Sequence, residues 1–259
     1  MEESVLRQKP KLLLEIVYVC ALNELDVDDD VRQFVINNLD LLDQIPKNEI
    51  YDYFVKILIT NNPSKYIREF KELFFKIVPG LEKTYGFEQN NPWHIYDVFE
   101  HTMHVLDNTS ASIPLRIAAL FHDLGKPEKY IEEEKEDEEG NKYIVGHFYG
   151  HNLESAKLFD EFAEDMNILL NDRKLISNLI IYHDYQLSVK PHKIDHYVDD
   201  LGLDNIKLLF ELKRADNLAQ NLELSQKSLI EIDNIERLFN KYLFNLDDES
   251  QIDSTKRVI

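Results

Sequence analysis

Apolar residues recur at helical spacing along most of this chain, and few residues interrupt the pattern. The sequence of 259 residues contains only 7 Gly and 8 Pro. In one predicted helix, which begins at Pro63, apolar side chains at Ile67, Phe70, Phe74 and Ile77 share one face. A chain of this length can bury a core without disulfide bonds or a structural metal. We therefore predict an all-α fold, a bundle of several helices.

Breaks in the helical pattern suggest three parts. The run QNNP at 89–92 ends a first set of amphipathic helices, and the next predicted helix runs from Trp93 to Leu106. We expect residues 1–90 to form an N-terminal helical region packed on a central domain at 91–222. A C-terminal helix and a polar tail are expected at 223–259. The N-terminal region is expected either to brace the bundle or to form a homodimer contact.

An acidic segment near residues 128–148 does not fit the helical pattern. Two short β-prone pieces flank Gly140 and Asn141 in this segment. This arrangement predicts a small β-hairpin or a loop. A run of charge usually marks a solvated face, and a lid over a neighbouring site is the alternative.

Charge and cysteine content exclude several classes of function. The formal net charge is −20, which argues against a large nucleic-acid footprint. Cys20 is the only cysteine, so an internal disulfide and a cysteine-based zinc site are excluded. The most apolar N-terminal run, 12–22, contains Glu15 and is too short to span a bilayer. We expect a cytoplasmic protein without a membrane partner.

Histidine and aspartate residues fall at helix ends or on apolar helical faces. His122 is followed directly by Asp123, near the end of a predicted helix that Gly125 closes. Imidazole and carboxylate together suit Mn, Fe, Co, Ni or Zn. The other candidate metal ligands are His101, His151, His183 and Asp216. Because each of these lies on or beside a predicted helix, a bundle can bring them into one pocket.

The His-Asp pair also suggests catalytic roles. A carboxylate can bridge two metal ions, and Asp123 is the best candidate because its neighbour is also a candidate ligand. Lys126 is expected to neutralise a substrate phosphate. Its alternative is an ordinary exposed lysine at a helix C-terminus, where the helix dipole favours a cation. His151 and His183 are expected to bind metal or, alternatively, to contact the substrate phosphate. We thus expect Asp123 and Lys126 to be catalytic residues.

Other residues near this set receive a structural interpretation. His94 and His104 are interpreted as helix-face residues that flank His101, with a place in the pocket as the alternative. His147 is assigned to the surface of the hairpin. Three aromatic residues are expected to pack in the core, with a base-stacking pocket as the alternative: Trp93, Tyr182 and Tyr185.

These residues resemble the HD superfamily of metal-dependent phosphohydrolases. In that family a His, a His-Asp pair and a distant Asp follow one another, with extra His residues in two-metal members. The order here is His101, His122, Asp123, His151, His183 and Asp216. The sequence resembles even more the HD domain of bacterial CCA-adding tRNA nucleotidyltransferases. The similar segments are YDVFEHT, LRIAALFHDLGKP, FYGHNLESA and LFELKRADNLA, within roughly residues 64–222.

The resemblance implies an HD-domain bundle with one or two divalent metal ions: Mn, Fe, Co, Ni, Zn or Mg. It implies an enzyme, either a phosphomonoesterase or a 2′,3′-cyclic phosphodiesterase, acting on a nucleotide or another small phosphoester. The sequence has no counterpart of the nucleotidyltransferase motifs, so nucleotide addition to tRNA is not implied. Two alternatives remain: a non-catalytic module that binds a nucleotide or a protein, and a factor that processes tRNA or RNA ends.

Overall fold

A computed structural model describes residues 7–255, and the side chains of residues 7–244. Helices dominate this part of the chain, and the small sheet is a two-stranded antiparallel hairpin. The prediction of an all-α bundle with a small hairpin insertion is therefore confirmed. Among the described residues, no helix combines the length and the apolar character needed to cross a membrane.

The N-terminal part consists of short helices packed around apolar side chains. Its helices are α1 (Leu12–Leu22), α2 (Asp29–Ile36), a 3₁₀ helix (Leu39–Gln44), α3 (Lys47–Leu58), α4 (Pro63–Glu69), α5 (Lys71–Ile77) and α6 (Leu81–Thr84). The single helix predicted from Pro63 is wrong, because it breaks at Phe70 into α4 and α5. Phe70 has φ −120° and ψ 34°, and its ring is fully buried. Apolar spacing continues across the break, so the sequence pattern does not reveal it.

The central and C-terminal parts hold the longer helices. They are α7 (Val98–Asp107), α8 (Ile113–Phe121), α9 (Lys126–Lys129), α10 (His151–Asp165), α11 (Leu170–Tyr182), α12 (Pro191–Leu201), a 3₁₀ helix (Leu203–Asn205), α13 (Ile206–Leu218) and α14 (Leu222–Thr255). The C-terminal helix is thus present, while the last four residues of the expected polar tail lie outside the described residues. The division at 90 and 222 stays a prediction.

One apolar core joins the N-terminal helices to the central ones. Phe162 on α10 contacts Phe54 on α3 and Phe121 on α8, with ring centroids 5.2 and 5.1 Å apart. Arg116 on α8 is also buried, and its guanidinium donates hydrogen bonds to the carbonyl oxygens of Leu58, Thr60 and Thr109. These contacts anchor α8, the helix that leads into His122 and Asp123, to the end of α3.

Helix α7 begins at Val98 and not at Trp93 as predicted. Asp97 is its N-cap, because its side chain accepts a hydrogen bond from the backbone N–H of Glu100 at 2.7 Å. Residues 91–96, before Asp97, therefore form a short turn and bends rather than helix. His94 lies outside any helix, so its interpretation as a helix-face residue is wrong.

The acidic insertion is a hairpin rather than an irregular loop. Strand β1 (Ile131–Glu136) pairs antiparallel with β2 (Lys142–His147). In the turn, the carboxylate of Asp137 accepts hydrogen bonds from the backbone N–H groups of Glu139 and Asn141, both at 2.9 Å. The hairpin thus has a defined turn and register.

The base of the hairpin packs against the segment before α7. The N–H of Gly146 donates to the carbonyl oxygen of Asn90 at 2.8 Å. A Cβ atom at position 146 would lie only 2.3 Å from the carbonyl oxygen of Gln89. This close backbone approach brings the end of β2 to the rim of the site described next.

Candidate metal centre

Five helices bring the six predicted ligands to one place. His101 comes from the middle of α7, His122 and Asp123 follow α8, His151 begins α10, His183 follows α11, and Asp216 lies on α13. The four imidazoles and Asp123 are buried, and the carboxylate of Asp216 is 16% exposed. The structure therefore gathers the whole predicted set, and the role of its members as ligands stays a prediction.

All four histidine rings are oriented by the backbone. Each ring has its Nδ1 atom within hydrogen-bond distance of a carbonyl oxygen: His122 with Ala119 at 2.7 Å, His151 with Phe148 at 2.9 Å, His183 with Ile180 at 2.6 Å and His101 with Ala219 at 3.3 Å. A carbonyl only accepts, so Nδ1 must carry the proton in each of these bonds. In a neutral imidazole, the lone pair on Nε2 then faces the centre of the site.

The two carboxylate oxygens of Asp123 sort the histidines into pairs. Its Oδ2 lies 3.1 Å from Nε2 of His122 and 3.3 Å from Nε2 of His101. Its Oδ1 lies 3.2 Å from Nε2 of His151 and 3.7 Å from Nε2 of His183. Asp123 therefore stands between two neighbouring groups of nitrogen atoms, as a bridging carboxylate would.

Two groups of three residues have the spacing of metal ligands. One consists of His101, His122 and Asp216, and the other of His122, Asp123 and His183. Within each group, the candidate ligand atoms all lie within 4.8 Å of one another. His151 belongs to neither group, but its Nε2 is 3.3 Å from Nε2 of His183, which places it at the edge of the second group.

The contacts between histidine nitrogens and carboxylate oxygens inside the site favour a bound cation. Nε2 of His101 faces Nε2 of His122 at 3.4 Å, and two lone pairs at that distance repel unless a positive charge lies between them. Oδ2 of Asp123 is buried and accepts no hydrogen bond of acceptable geometry, although charged and polar groups surround it. Nitrogen and carboxylate donors in this arrangement fit a divalent transition metal.

Electrostatics in the site also favour positive charge. Burial alone would lower the pKa of His101, but the adjacent carboxylates of Asp123 and Asp216 raise that pKa to about 9. Burial opposes ionisation of Asp216, yet its hydrogen bond with His101 outweighs this effect and lowers the pKa of the carboxyl. For Asp123, electrostatic interaction with His122 and Lys126 likewise outweighs burial and lowers the pKa of the carboxyl. Both carboxylates therefore remain ionised beside the imidazoles.

Lys126 is part of the site. Its side chain is buried, so the alternative of an exposed helix-terminal lysine is wrong. Its Nζ lies 2.7 Å from Oδ2 of Asp123 and donates to the side-chain carbonyl of Gln89, also at 2.7 Å. The amide nitrogen of Gln89 in turn donates to the carbonyl oxygen of Tyr96 at 3.1 Å. Gln89 thus fixes the position of the ammonium group, a role that the sequence did not suggest.

A cavity of about 280 Å³ opens over this centre. His94 lines it, with its ring centroid 5.2 Å from that of His101, and burial lowers the pKa of His94 to about 2. His147 was assigned to the hairpin surface, but it lines the same cavity and its ring stacks on Tyr149. From the sequence, a place in the pocket was expected for His94 only as the alternative and for His147 not at all, because both places depend on the start of α7 and on the docking of the hairpin.

The sequence model of the HD domain matches residues 94–236, which is more than half of the chain. This chain belongs to the HD domain family. Proteins of this family are generally metal-dependent hydrolases, and HD domains bind divalent metal ions. The matched range includes all six residues predicted from the sequence as metal ligands.

The chain is also similar to three bacterial proteins named Multifunctional CCA protein. It is 27% identical to that of Azoarcus sp. (strain BH72) over 140 residues, which is 52% of this chain and 31% of the relative. It is 24% identical to that of Dechloromonas aromatica (strain RCB) over 192 residues, 70% of this chain and 42% of the relative. The match to the Cupriavidus taiwanensis protein is 26% over 133 residues, 49% of this chain and 29% of the relative.

These matches confirm the resemblance to the HD domain of CCA proteins. The matched region spans less than half the length of each of these relatives. Family membership therefore concerns the HD domain, and a specific substrate is a separate question.

Proposed function

We propose that this protein is a divalent-metal-dependent phosphohydrolase that acts on a nucleotide or another small phosphoester. One observation carries the proposal: the two oxygens of Asp123 face two pairs of inward-pointing histidine nitrogens, with the buried ammonium of Lys126 beside them. Such a centre combines metal ligands with a cation that can contact a phosphate.

The residues divide into two ligand groups around Asp123. His101, His122, Asp123 and Asp216 would hold one ion, and Asp123, His151 and His183 would hold a second. When bound, such ions supply Lewis-acid polarisation of a phosphoryl oxygen and lower the pKa of water. The hydrogen bonds of Nδ1 to backbone carbonyl oxygens keep Nε2 of each ring turned towards the centre of the site, and ligand orientation of this kind would strengthen metal binding.

The chain's own groups position the phosphate for hydrolysis. Lys126 pairs with a phosphate oxygen, and Gln89 keeps its ammonium in place. Hydrolysis forms a P–O bond to the oxygen of water and breaks the P–O bond to the leaving group, whose oxygen takes up a proton from that water. Asp123 must be ionised throughout, which agrees with the direction of its pKa.

Size and charge favour a small substrate. A cavity of about 280 Å³ accommodates a phosphate group and a small part of its ester. The net charge of −20 repels a long phosphate backbone. We therefore propose a phosphomonoester or a 2′,3′-cyclic phosphate as the substrate rather than a polymer.

The test combines metal analysis with turnover. The protein is purified without chelator, its bound metals are quantified, and hydrolysis of p-nitrophenyl phosphate and of a nucleoside 2′,3′-cyclic phosphate is measured with Mn, Fe, Co, Ni, Zn and Mg. A short RNA ending in a 2′,3′-cyclic phosphate tests action on RNA ends in the same assay. We expect one to two equivalents of metal and turnover of at least one substrate.

Asp123→Asn supplies the decisive variant. It keeps the shape of the side chain but removes its charge, so we expect loss of bound metal and turnover no higher than background, with an unchanged circular dichroism spectrum. Asp160→Asn is the matched control, because Asp160 pairs with Arg173 away from the site. Turnover of Asp123→Asn at the wild-type rate would refute the proposal. Tight metal binding without turnover of any phosphoester would favour a binding module.

A further inference from the structure

A second cavity, here called the side cavity, opens next to the metal centre. Its volume is about 360 Å³, and it lies between the loop after α11 and the helices α13 and α14. Four residues line both cavities: His183, Asp184, Asp216 and Gln220. Asp184 is exposed and Gln220 half-buried, so the two cavities share an open rim. A substrate with its phosphate at the metal centre can therefore place its organic part in the side cavity.

The lining of the side cavity suits a flat ring with polar edges. Leu187 and Ile232 are buried and give it an aliphatic wall. Tyr185 also lines it, is 41% exposed and makes a T-shaped contact with Tyr182, so part of an aromatic side chain is accessible to a ligand. Asn217 adds an amide at the side of the cavity. Nucleobases combine a stacking face with hydrogen-bonding edges, so a nucleoside matches this surface.

The charge of the side cavity disfavours additional phosphate groups. Asp184 and Glu231 line it. Among the described residues around this cavity, the one lysine or arginine is Lys213. Its ammonium donates to the carbonyl oxygens of His183 at 2.5 Å and Tyr185 at 2.9 Å, so it holds the loop in place. A second or third phosphate would meet carboxylates here without a free cation to balance its charge.

We propose that the side cavity binds the nucleoside part of a substrate that carries a single phosphate, and that it selects against nucleoside triphosphates. The inference rests on the proposed function, because it requires the phosphate to lie at the metal centre. It adds to that function that the group bonded to the phosphate is a nucleoside, and it names the residues that select this group.

The first test compares adenosine nucleotides in the wild-type protein. Adenosine 5′-monophosphate, adenosine 2′,3′-cyclic phosphate and adenosine triphosphate are assayed with metal in excess over nucleotide. We expect kcat/KM for at least one of the first two to exceed that for the triphosphate at least tenfold. Equal or faster hydrolysis of the triphosphate overturns the inference. So does turnover of p-nitrophenyl phosphate without turnover of either single-phosphate nucleotide.

The second test fills the side cavity. Ser228 on α14 lines it, and Ser228→Trp places an indole where the nucleoside would bind. We expect KM for the preferred nucleotide to rise at least tenfold, with unchanged metal content and an unchanged inhibition constant for orthophosphate, which occupies the metal centre alone. Gln226→Trp is the matched control, since Gln226 is exposed on the same helix outside the cavity. It should behave like the wild type.

A less disruptive substitution, Glu231→Lys, tests the same inference if Ser228→Trp does not fold. Glu231→Lys changes an exposed residue, and we expect it to raise hydrolysis of the triphosphate relative to the monophosphate at least fivefold. An unchanged ratio in a folded Glu231→Lys protein, or an unchanged KM in a folded Ser228→Trp protein, overturns the inference while the phosphohydrolase stands. A wild-type protein that binds metal but hydrolyses no phosphoester refutes both together.

Discussion

Two regions of the molecule use the same local hydrogen bond on different residue types. In the N-terminal part, the buried hydroxyls of Thr60 and Thr84 donate to the carbonyl oxygens of Ile57 and Leu81, three residues earlier. At the metal centre, the Nδ1 atoms of His122 and His183 bond carbonyl oxygens three residues earlier in the same way. The hydroxyl has then used its only proton, whereas the imidazole still has a second nitrogen that points away from its own helix.

This difference distinguishes the N-terminal part, where polar groups contribute to the stability of the fold, from the metal centre, where they are proposed to bind a metal ion. In the N-terminal part, the buried side chains of Asn38, Thr60 and Thr84 each donate to a backbone carbonyl oxygen three or four residues earlier. At the metal centre, the Nε2 atoms of the histidines lie close to one another and to the carboxylates of Asp123 and Asp216. A bound cation would stabilise this arrangement. Changes in the first region should therefore alter stability, and changes in the second should alter metal binding and turnover.

The largest effect expected from a change outside the proposed ligands is that of Gly125→Ala. A Cβ atom at position 125 would lie 2.4 Å from the carbonyl oxygen of His151 and 2.7 Å from the backbone nitrogen of Ser155. The start of α10 must then move away from Asp123, which now lies 3.2 Å from His151. A misplacement of about 1 Å can lower turnover roughly 10²-fold, and we expect a loss of that order in kcat/KM, with weaker retention of metal.

Gly86→Ala is the control for this prediction. Position 86 has φ 70° and open space around it, so an added methyl group meets no neighbour. The positive φ should cost about 1 kcal/mol in unfolding free energy and leave metal content unchanged. Metal analysis and steady-state kinetics on both variants check the comparison. Wild-type values for Gly125→Ala would show that the close approach does not set the geometry of the centre.

A smaller effect is expected from Gln89→Leu, at the junction of the two regions. The substitution removes the acceptor that holds Lys126. A hydrogen bond to a charged group contributes about 1.5–3 kcal/mol, so we expect KM for a phosphoester to rise roughly tenfold or more. Metal content should not change, because Gln89 contacts none of the proposed ligands directly. Kinetics beside Gln226→Leu, an exposed control, measure the effect, and an unchanged KM contradicts the role of Gln89.

The smallest effect is expected from Thr84→Val in the N-terminal region. The change deletes one buried hydroxyl and its bond to Leu81, which should lower the unfolding free energy by about 1 kcal/mol. Metal content, kcat and KM should stay at wild-type values. Urea unfolding of the metal-free protein and a metal assay provide the measurements. Loss of metal in this variant would remove the distinction between the two regions.

The sequence predicted the helical class and the clustering of the six histidine and aspartate residues for a local reason. Apolar spacing reports which face of a helix is buried, and these residues fall at helix ends or on that face. The break at Phe70 was not predictable, because the apolar spacing is the same on both sides of it. The start of α7 was also missed, although Asp97 with Glu100 three residues later has the spacing of an N-terminal capping pattern.

Contacts between segments far apart in the chain could not be predicted from the sequence. Gln89 meets Lys126 because the segment before α7 packs beside the turn after α8, and no local pattern reports that packing. His94 and His147 enter the cavity for the same reason. The ligand roles of the six residues stay predictions, since they need a bound ion to be tested.

The proposed ligands come from five helices that lie far apart along the chain, and this arrangement has a consequence for biosynthesis. His101 is made first and Asp216 last, with the hairpin and the helices α9 to α12 between α8 and α13. A growing chain that has reached only the hairpin offers His101, His122 and Asp123 but none of the later ligands. The complete centre can therefore exist only after α13 has been synthesised and docked. The full set of proposed ligands should thus become available to a metal ion only after α13 has docked.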